Sequence, residues 1–195
     1  MEQRVFAAAR DGDLHSLVDL LRENSDLDIN WTVSNVFAST PLHIACDFGQ
    51  AESVRVLLLH PNIEVNKEDA SGATPFSLAC RYGHTAVVRQ MLGDERVWTD
   101  HPNKRTSAVP LRDAAANNHL ETIRVMISSG RDLLPSFVKE GDPVTDPVAI
   151  ALSNGWKDVV ALLKQFKANK VATIAESRKS LGIQGHPPHT TPFFS

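Results

Sequence analysis

Residues 40–59 have the sequence TPLHIACDFGQAESVRVLLL, which predicts two short antiparallel helices joined by a tight turn. Thr40 can cap the first helix with its hydroxyl, and Pro41 stands in the first turn, where its missing N–H costs nothing. Gly49 ends that helix, because glycine tolerates the left-handed conformation of a C-terminal cap. The apolar residues that define the second helix recur at helical spacing: Val54, Leu57 and Leu58.

The same unit recurs along the chain. It begins again 34 residues later, at Thr74, and the glycine of its turn recurs at the same interval, at Gly83. Weaker copies begin at Pro110 and Pro147, and another, which lacks its leading turn, begins near Val5. Five copies of one helix pair predict a stacked architecture, because each pair can bury a continuous core only against its neighbours.

These copies resemble the ankyrin repeat, whose signature is a turn, T-P-L-H-x-A, a glycine–histidine turn and a V-V-x-x-L-L helix. Residues 40–45 match the hexapeptide completely, and residues 74–79 match it with Phe76 for leucine and Ser77 for histidine. The resemblance covers roughly residues 4–166. It implies an all-α solenoid of stacked helix-turn-helix units with hairpin loops.

The resemblance also divides the chain. Residues 1–166 are expected to form the ankyrin repeat domain, with repeats at approximately 1–34, 35–68, 69–103, 104–140 and 141–166. The long connection 131–146 should tuck its apolar side onto the stack. Partial helical spacing predicts a C-terminal capping helix over residues 167–182, covering the exposed face of the last repeat. Residues 183–195 hold three of the eleven prolines and are expected to be disordered.

Composition and charge argue against several classes of function. The chain has 195 residues, of which 42% are hydrophobic and 22% charged, enough for one solenoid domain. The net charge of −3 and the isoelectric point near 6.2 argue against a nucleic-acid surface. No stretch approaches the roughly 20 apolar residues of a membrane span. No apolar run follows Met1 to Arg4, so we expect no secretory signal. With only two cysteines, the chain is expected in the cytoplasm or nucleus.

The resemblance also implies where a partner would bind. In the family, the solvent-facing positions are the two residues before the helix-ending glycine and those at the hairpin tips. Carried onto this chain, they predict a partner-binding surface that contains Val36, Phe37, Asp47, Phe48, Ser71, Arg81, Tyr82, Arg105 and Asn117. Phe48 and Tyr82 come from adjacent repeats and should lie side by side, with Arg81 close. Tyrosine and arginine dominate binding hot spots, so we expect the partner there. The alternative is that Phe37 and Phe48 only pack on a neighbouring loop.

The sequence shows no catalytic constellation. It lacks G-x-x-x-x-G-K-[ST], G-x-G-x-x-G, H-E-x-x-H and G-x-S-x-G. Cys46 and Cys80 invite a metal or disulfide interpretation, but they share one small, buried repeat position, which favours packing. We therefore expect no catalytic residue, metal or cofactor.

Three histidines occupy repeat positions with structural roles in the family. His43 fills the histidine position of T-P-L-H, where the ring is used to hydrogen-bond the backbone of a neighbouring hairpin. His84 and His119 follow the turn and are expected to bridge repeats in the same way. None of the three has the Cys/His spacing of metal ligands.

Two residues are candidate modification sites. Asn66, with Leu58, Glu64 and Val65, matches the spacing that ankyrin-type domains offer to an asparagine hydroxylase, although the asparagine is also structural in the hairpin turn. Ser180 follows a basic pair and resembles a basic-directed phosphorylation site, where a phosphate would add about −1.5 to −2 charge.

Three hypotheses for function follow. The first is a monomeric, non-enzymatic adaptor or scaffold that binds another protein along its concave face, with no nucleic-acid or membrane partner. The second keeps the fold but makes the chain a stoichiometric inhibitor of a kinase or transcription factor. The third is an enzyme or metal protein, which needs a site that the sequence does not show.

Overall fold

The computed structural model describes residues 1–24, 26–33 and 37–183, which form eleven α-helices and no β-strand. The first helices of successive pairs are α1 (Glu2–Asp11), α3 (Pro41–Asp47), α5 (Pro75–Tyr82), α7 (Pro110–Ala116) and α9 (Pro147–Ser153). The second helices are α2 (Leu14–Glu23), α4 (Ala51–Leu58), α6 (Thr85–Leu92), α8 (Leu120–Ser129) and α10 (Lys157–Ala168), and α11 (Lys170–Ser180) follows. Each predicted repeat begins one pair, and only α10 runs past its predicted end, to Ala168. The predicted all-α solenoid is confirmed.

The helices form two layers. Each first helix packs on the first helix of the next repeat, and the second helices pack behind them in the same order. The layers enclose one apolar core that runs through all five pairs. Its largest fully buried apolar side chains are Leu17, Ile29, Leu42, Leu57, Phe76, Met91, Leu111, Ile123, Met126, Ile127 and Leu163.

Reciprocal hydrogen bonds cap the N-terminal ends of α3 and α5, the two first helices that match the repeat signature best. Thr40 Oγ1 accepts from the backbone N–H of His43 at 3.3 Å, and His43 Nδ1 accepts from the backbone N–H of Thr40 at 3.2 Å. Thr74 and Ser77 form the same pair of bonds at 3.2 and 3.0 Å. These bonds satisfy donors that the first turn of a helix leaves unpaired. Val109, which replaces the threonine in α7, makes no side-chain cap.

His43 also joins neighbouring repeats. Its ring is fully buried, and its Nε2 lies 3.2 Å from the carbonyl oxygen of Ala73, in the next hairpin loop. A carbonyl oxygen only accepts, and Nδ1 accepts from Thr40, so Nε2 carries the proton of a neutral ring. Burial lowers the pKa of His43 below its ordinary value. The predicted bridge from this ring to hairpin backbone is confirmed.

We expect acid to destabilise the fold through His43. The unfolded chain takes up this proton near pH 6.5, whereas the folded chain takes it up only at lower pH. The free energy of unfolding therefore falls as the pH drops below about 6.5, by up to about 1.4 kcal/mol for each pH unit between the two pKa values. His43→Gln should remove this part of the pH dependence, measured by urea unfolding at pH 7 and pH 5.

His15→Gln is the matched control, because the side chain of His15 is 91% exposed. This variant should keep the pH dependence of the wild-type chain. If His43→Gln and wild type lose the same free energy between pH 7 and pH 5, the assignment to His43 is wrong.

A residue in the left-handed conformation follows each of the five first helices. Gly83 ends α5 with φ +72°, a conformation that residues with a Cβ adopt only at a cost. Asn118 takes the equivalent place after α7 with φ +60°, as asparagine can. The chain therefore turns in the same way after α5 and α7, although only one of the two turns has glycine.

The connection between α8 and α9 packs on the stack only in part. Leu133 is buried, as expected, but Phe137 and Val144 are exposed. Asp146 caps α9, because its carboxylate accepts from the backbone N–H groups of Val148 and Gly141 at 3.0 and 2.9 Å. Asp146, which replaces the threonine of the repeat signature, therefore caps the helix as the threonine does in other repeats.

α11 lies elsewhere than the sequence led us to expect. It packs against α8 and α10 in the second-helix layer and leaves the outer side of α9 exposed. Asn169 alone links α10 to α11. One residue cannot carry the chain back to the first-helix layer, whereas 16 residues make that connection between α4 and α5.

Within the described ranges, no helix is both long and apolar enough to cross a bilayer.

Candidate protein-binding surface

Three exposed aromatic side chains belong to the first helices α3 and α5 or to the loops next to them. Phe48 directly follows α3, and Tyr82 is the last residue of α5, which packs on α3. Phe37 lies in the hairpin loop before α3. Their side chains are 56% (Phe37), 54% (Phe48) and 51% (Tyr82) exposed. We call these three residues the aromatic surface.

Hydrogen bonds join the hairpin loop that carries Phe37 to the hairpin tips of the next two repeats. The carbonyl oxygen of Phe37 accepts from the backbone N–H of Ala70, in the next hairpin tip, at 2.7 Å. The carbonyl oxygen of Ala70 in turn accepts from the guanidinium of Arg105 at 3.1 Å. Ser71 is held locally, since its backbone N–H and its hydroxyl both donate to Asp69 Oδ1, at 2.8 and 2.7 Å. The predicted tip residues thus belong to one connected row, except Val36, which lies outside the described residues.

A second row of hydrogen bonds fixes the ends of the first helices. His84 Nε2 lies 2.7 Å from the carbonyl oxygen of Asp47, and His119 Nε2 lies 2.9 Å from that of Arg81. Both histidines bridge repeats, as predicted, but their acceptors lie at the end of the preceding first helix rather than in a hairpin. The ring of Tyr82 lies beside this row, with its centroid 6.3 Å from the centroid of the His84 ring.

Two further members of this row were missed by the sequence analysis. Gln50 Nε2 donates to the carbonyl oxygen of Arg10 at 2.9 Å, and Trp156 Nε1 donates to that of Ala116 at 3.1 Å. Both occupy the position of His84, directly after the turn glycine. Aligning the repeats could have identified Gln50 and Trp156. Both side chains carry an N–H group that can reach the carbonyl that the histidines bind.

Arg81 forms an ion pair with a neighbouring repeat. Its guanidinium lies 3.1 Å from Asp113 Oδ2, a carboxylate of the next first helix that is almost fully buried. Arg112 approaches the other oxygen of Asp113 at 3.4 Å. This pair holds Arg81 beside Tyr82 and leaves about a third of the arginine side chain exposed. The sequence analysis assigned Arg81 to the surface by register but did not identify its partner Asp113.

The remaining predicted residues lie at the edges of this region. Asp47 is half-buried, and burial raises the pKa of its carboxyl above the ordinary value, although His84 and Arg81 oppose the shift. Asn117 is exposed, and its side-chain amide donates to the carbonyl oxygen of Asp113 at 2.9 Å. Neither residue makes an aromatic contact that would extend the surface.

A second aromatic cluster lies in the hairpin loop before α7. The ring of Trp98 is 49% exposed and lies 4.7 Å, centroid to centroid, from the ring of His101. His101 Nε2 and Lys104 Nζ each lie 2.8 Å from the carboxylate of Glu68. The tryptophan was visible in the sequence, but the repeat signature assigns it no role.

The two candidate modification sites differ in their surroundings. The side-chain amide of Asn66 donates to the carbonyl oxygen of Arg96 at 2.7 Å and accepts from the backbone N–H of Trp98 at 2.9 Å. Asn30 makes equivalent bonds one repeat earlier. Asn66 therefore has the structural role in the hairpin that the sequence analysis named as the alternative to hydroxylation.

Ser180 is exposed at the end of α11. Hydroxylation of Asn66 and phosphorylation of Ser180 both stay predictions.

The two cysteines are part of the core. Cys46 and Cys80 are fully buried, and their thiols lie 3.5 and 3.7 Å from the sulfur atoms of Met91 and Met126. Burial raises the pKa of both thiols, which keeps them protonated and unreactive. In the part of the chain that the structure describes, no three His, Cys, Asp or Glu side chains gather as a metal site would require.

Comparison with known families agrees with this geometry. A family model described as ankyrin repeats, in three copies, matches residues 5–105 and 58–136. This chain belongs to the ankyrin-repeat family. Ankyrin repeats are in general non-enzymatic modules that bind other proteins.

Its curated relatives are larger and diverse. The chain is 33% identical over 106 residues to "SMC5-SMC6 complex localization factor protein 1" of Homo sapiens, a match that covers 54% of this chain and 10% of that protein. It is 28% identical to "Probable E3 ubiquitin-protein ligase XBOS32" of Oryza sativa subsp. japonica, over 94% of this chain and 41% of the ligase. It is 26% identical to "Tyrosine-protein kinase HTK16" of Hydra vulgaris, over 89% of this chain and 22% of the kinase. The ankyrin-repeat chain thus spans less than half the length of each.

Proposed function

We propose that this ankyrin-repeat protein is a non-enzymatic adaptor or scaffold, monomeric and located in the cytoplasm or nucleus, that binds a segment of another protein. The partner lies along the concave side formed by the first helices and the hairpin tips. One observation carries the proposal: Phe37, Phe48 and Tyr82 are each more than half exposed on consecutive repeats. Exposed apolar side chains grouped in this way are typical of protein-interaction sites.

The backbone that carries the aromatic surface is held in place before a partner arrives. His84 anchors the end of α3, from which Phe48 projects, and His119 anchors the end of α5, from which Tyr82 projects. A surface ordered in advance loses little conformational entropy on binding, so more of the contact energy appears as affinity.

Charge around the aromatic surface favours a protein partner with a carboxylate near its apolar anchors. Arg81, beside Tyr82, keeps about a third of its side chain exposed, and Arg105 is exposed at a hairpin tip. Partly desolvated arginine is the residue type that pairs with carboxylate in bidentate geometry. The chain as a whole carries a net charge of −3, which disfavours a nucleic-acid partner.

The test is affinity capture from lysate with the intact chain and with the double variant Phe48→Ala/Tyr82→Ala. Each aromatic anchor in an interface is worth about 2 kcal/mol or more, so the double variant should lose its partner, with affinity reduced by at least about a hundredfold. Its free energy of unfolding should stay within about 0.5 kcal/mol of wild type, because both side chains are exposed.

The matched control is Leu59→Ala/Val171→Ala, which removes two exposed apolar side chains from the second-helix side of the stack. This variant should capture the same partner as wild type. Equal capture by the Phe48/Tyr82 variant would place the binding site elsewhere on the chain.

A further inference from the structure

Asp47 stands at a place in the fold that disfavours a negative charge. It is the last residue of α3, and the C-terminal end of a helix carries a partial negative charge that repels a carboxylate. The equivalent residues of α1 and α5, two positions before the turn glycine, are Arg10 and Arg81. Their positive charge suits that end of a helix. Asp47 therefore reverses the charge that the fold favours at this position.

No hydrogen bond compensates for the charge of Asp47. Its side chain is half-buried, yet none of the described residues donates a hydrogen bond to its carboxylate or forms an ion pair with it. Arg81 pairs with Asp113 instead, at 3.1 Å. His84 donates to the backbone carbonyl oxygen of Asp47, at 2.7 Å, and not to its carboxylate. The carboxylate of Asp47 thus keeps its bonding capacity for a group outside the described chain.

The surroundings of Asp47 add to its need for a positive charge. Burial is the main cause of the raised pKa of its carboxyl, and the negative charge of Asp69 raises this pKa further. His84 and Arg81 act in the opposite direction but do not cancel the shift. Asp69 is buried in the next hairpin loop, where its Oδ1 accepts only from neutral donors, among them the backbone N–H of Ala73 at 3.0 Å. A further cation near Asp47 would therefore stabilise its ionised form.

The residues next to Asp47 suit a basic side chain. Phe48 follows it directly and is 54% exposed, and Tyr82 of the adjacent repeat is 51% exposed. Lysine and arginine pack their aliphatic stems on apolar surface, and their charged groups are attracted to aromatic rings. A residue that breaks a local rule of the fold without compensation is expected at a functional site. Asp47 meets that description at the edge of the aromatic surface.

We propose that Asp47 determines the specificity of the aromatic surface by binding a lysine or arginine side chain of the partner segment. The assignment rests on the proposed function, because the segment must lie on the aromatic surface for its basic residue to reach Asp47. The basic residue is next to the apolar anchors of the segment, whereas Arg81 takes a carboxylate of the same segment. The partner is thus an apolar segment that carries charges of both signs.

The test begins with a library of random 12-residue peptides displayed on phage and selected on the full chain. Wild type should enrich peptides in which lysine or arginine accompanies apolar residues. Asp47→Asn should still select apolar residues but lose the enrichment in basic ones. Asp47→Arg, which restores the residue type of α1 and α5, should select against basic peptides.

One peptide selected on wild type then serves as the probe for affinity. It should bind Asp47→Asn about tenfold more weakly than wild type, the loss expected for one charge-assisted contact. Replacing the basic residue of the peptide by methionine should cost the same factor on wild type. The same replacement should cost nothing further on Asp47→Asn, because both changes remove one contact.

Two further measurements separate this role from a structural one. Glu121→Gln makes the same change in net charge at an exposed residue of α8, in the second-helix layer, and should bind the probe peptide like wild type. The urea midpoint of Asp47→Asn should equal or exceed that of wild type, because a carboxylate at the C-terminal end of a helix is unfavourable. A lower midpoint would show that Asp47 has a structural role.

The outcomes distinguish this proposal from the proposed function. If wild type selects peptides that need Phe48 and Tyr82 but are not enriched in basic residues, the role of Asp47 is wrong and the proposed function stands. Equal affinity of the probe peptide for wild type and Asp47→Asn has the same meaning. If the selected peptides bind without Phe48 and Tyr82, the proposed function is itself contradicted, and the role of Asp47 with it.

Discussion

Phe76→Ala should lower the free energy of unfolding by about 3–5 kcal/mol, the range for removing a large aromatic side chain from a packed core. Phe76 lies in α5, is fully buried, and belongs to the central repeat, which contacts a neighbour on each side. The substitution leaves a cavity in the core of this repeat. Chemical unfolding followed by circular dichroism measures the loss, provided that the transition stays cooperative.

Phe48→Ala is the matched control, because it removes the same side chain from a half-exposed position in the repeat before. It should change the free energy of unfolding by no more than about 0.5 kcal/mol. A loss below about 1 kcal/mol for Phe76→Ala would mean that the core does not pack around this ring.

Gly83→Ala should lower the free energy of unfolding by about 2–3 kcal/mol. Alanine in the left-handed conformation of this position, φ +72°, costs about 1–2 kcal/mol. The new Cβ would also lie under 3.0 Å from the ring of His119. The ring must move and weaken its hydrogen bond to the carbonyl oxygen of Arg81, a further loss of about 1 kcal/mol.

Gly155→Ala separates these two costs. Gly155 has φ +77°, but no described atom lies within 4 Å of the added Cβ, so only the left-handed conformation is penalised. We expect about 1–2 kcal/mol for this variant, less than for Gly83→Ala. Equal losses in the two variants, measured side by side by urea unfolding, would show that the bridge from His119 contributes nothing.

The candidate surface was predictable in position but only partly in contacts. Register placed Phe48 and Tyr82 at equivalent points of adjacent repeats, and it placed His84 and His119 where they bridge those repeats. It could not show that the guanidinium of Arg81 is held by a carboxylate 32 residues further along the chain, since that contact depends on how two first helices pack. The contact of Trp98 with His101, three residues away in the same hairpin loop, was missed because the repeat signature assigns the tryptophan no role.

The sequence by itself determined the repeat, its period and the beginning and end of its helices. These features depend on residues a few positions apart, such as the cap between Thr40 and His43 and the left-handed turn at Gly83. Only the tertiary structure decided which apolar side chains stay exposed. Cys80 and Leu152 occupy the same position in their repeats, yet Cys80 is buried by a following repeat and Leu152 is not. Burial depends on the neighbour that a residue meets in space, and a position within a repeat does not specify that neighbour.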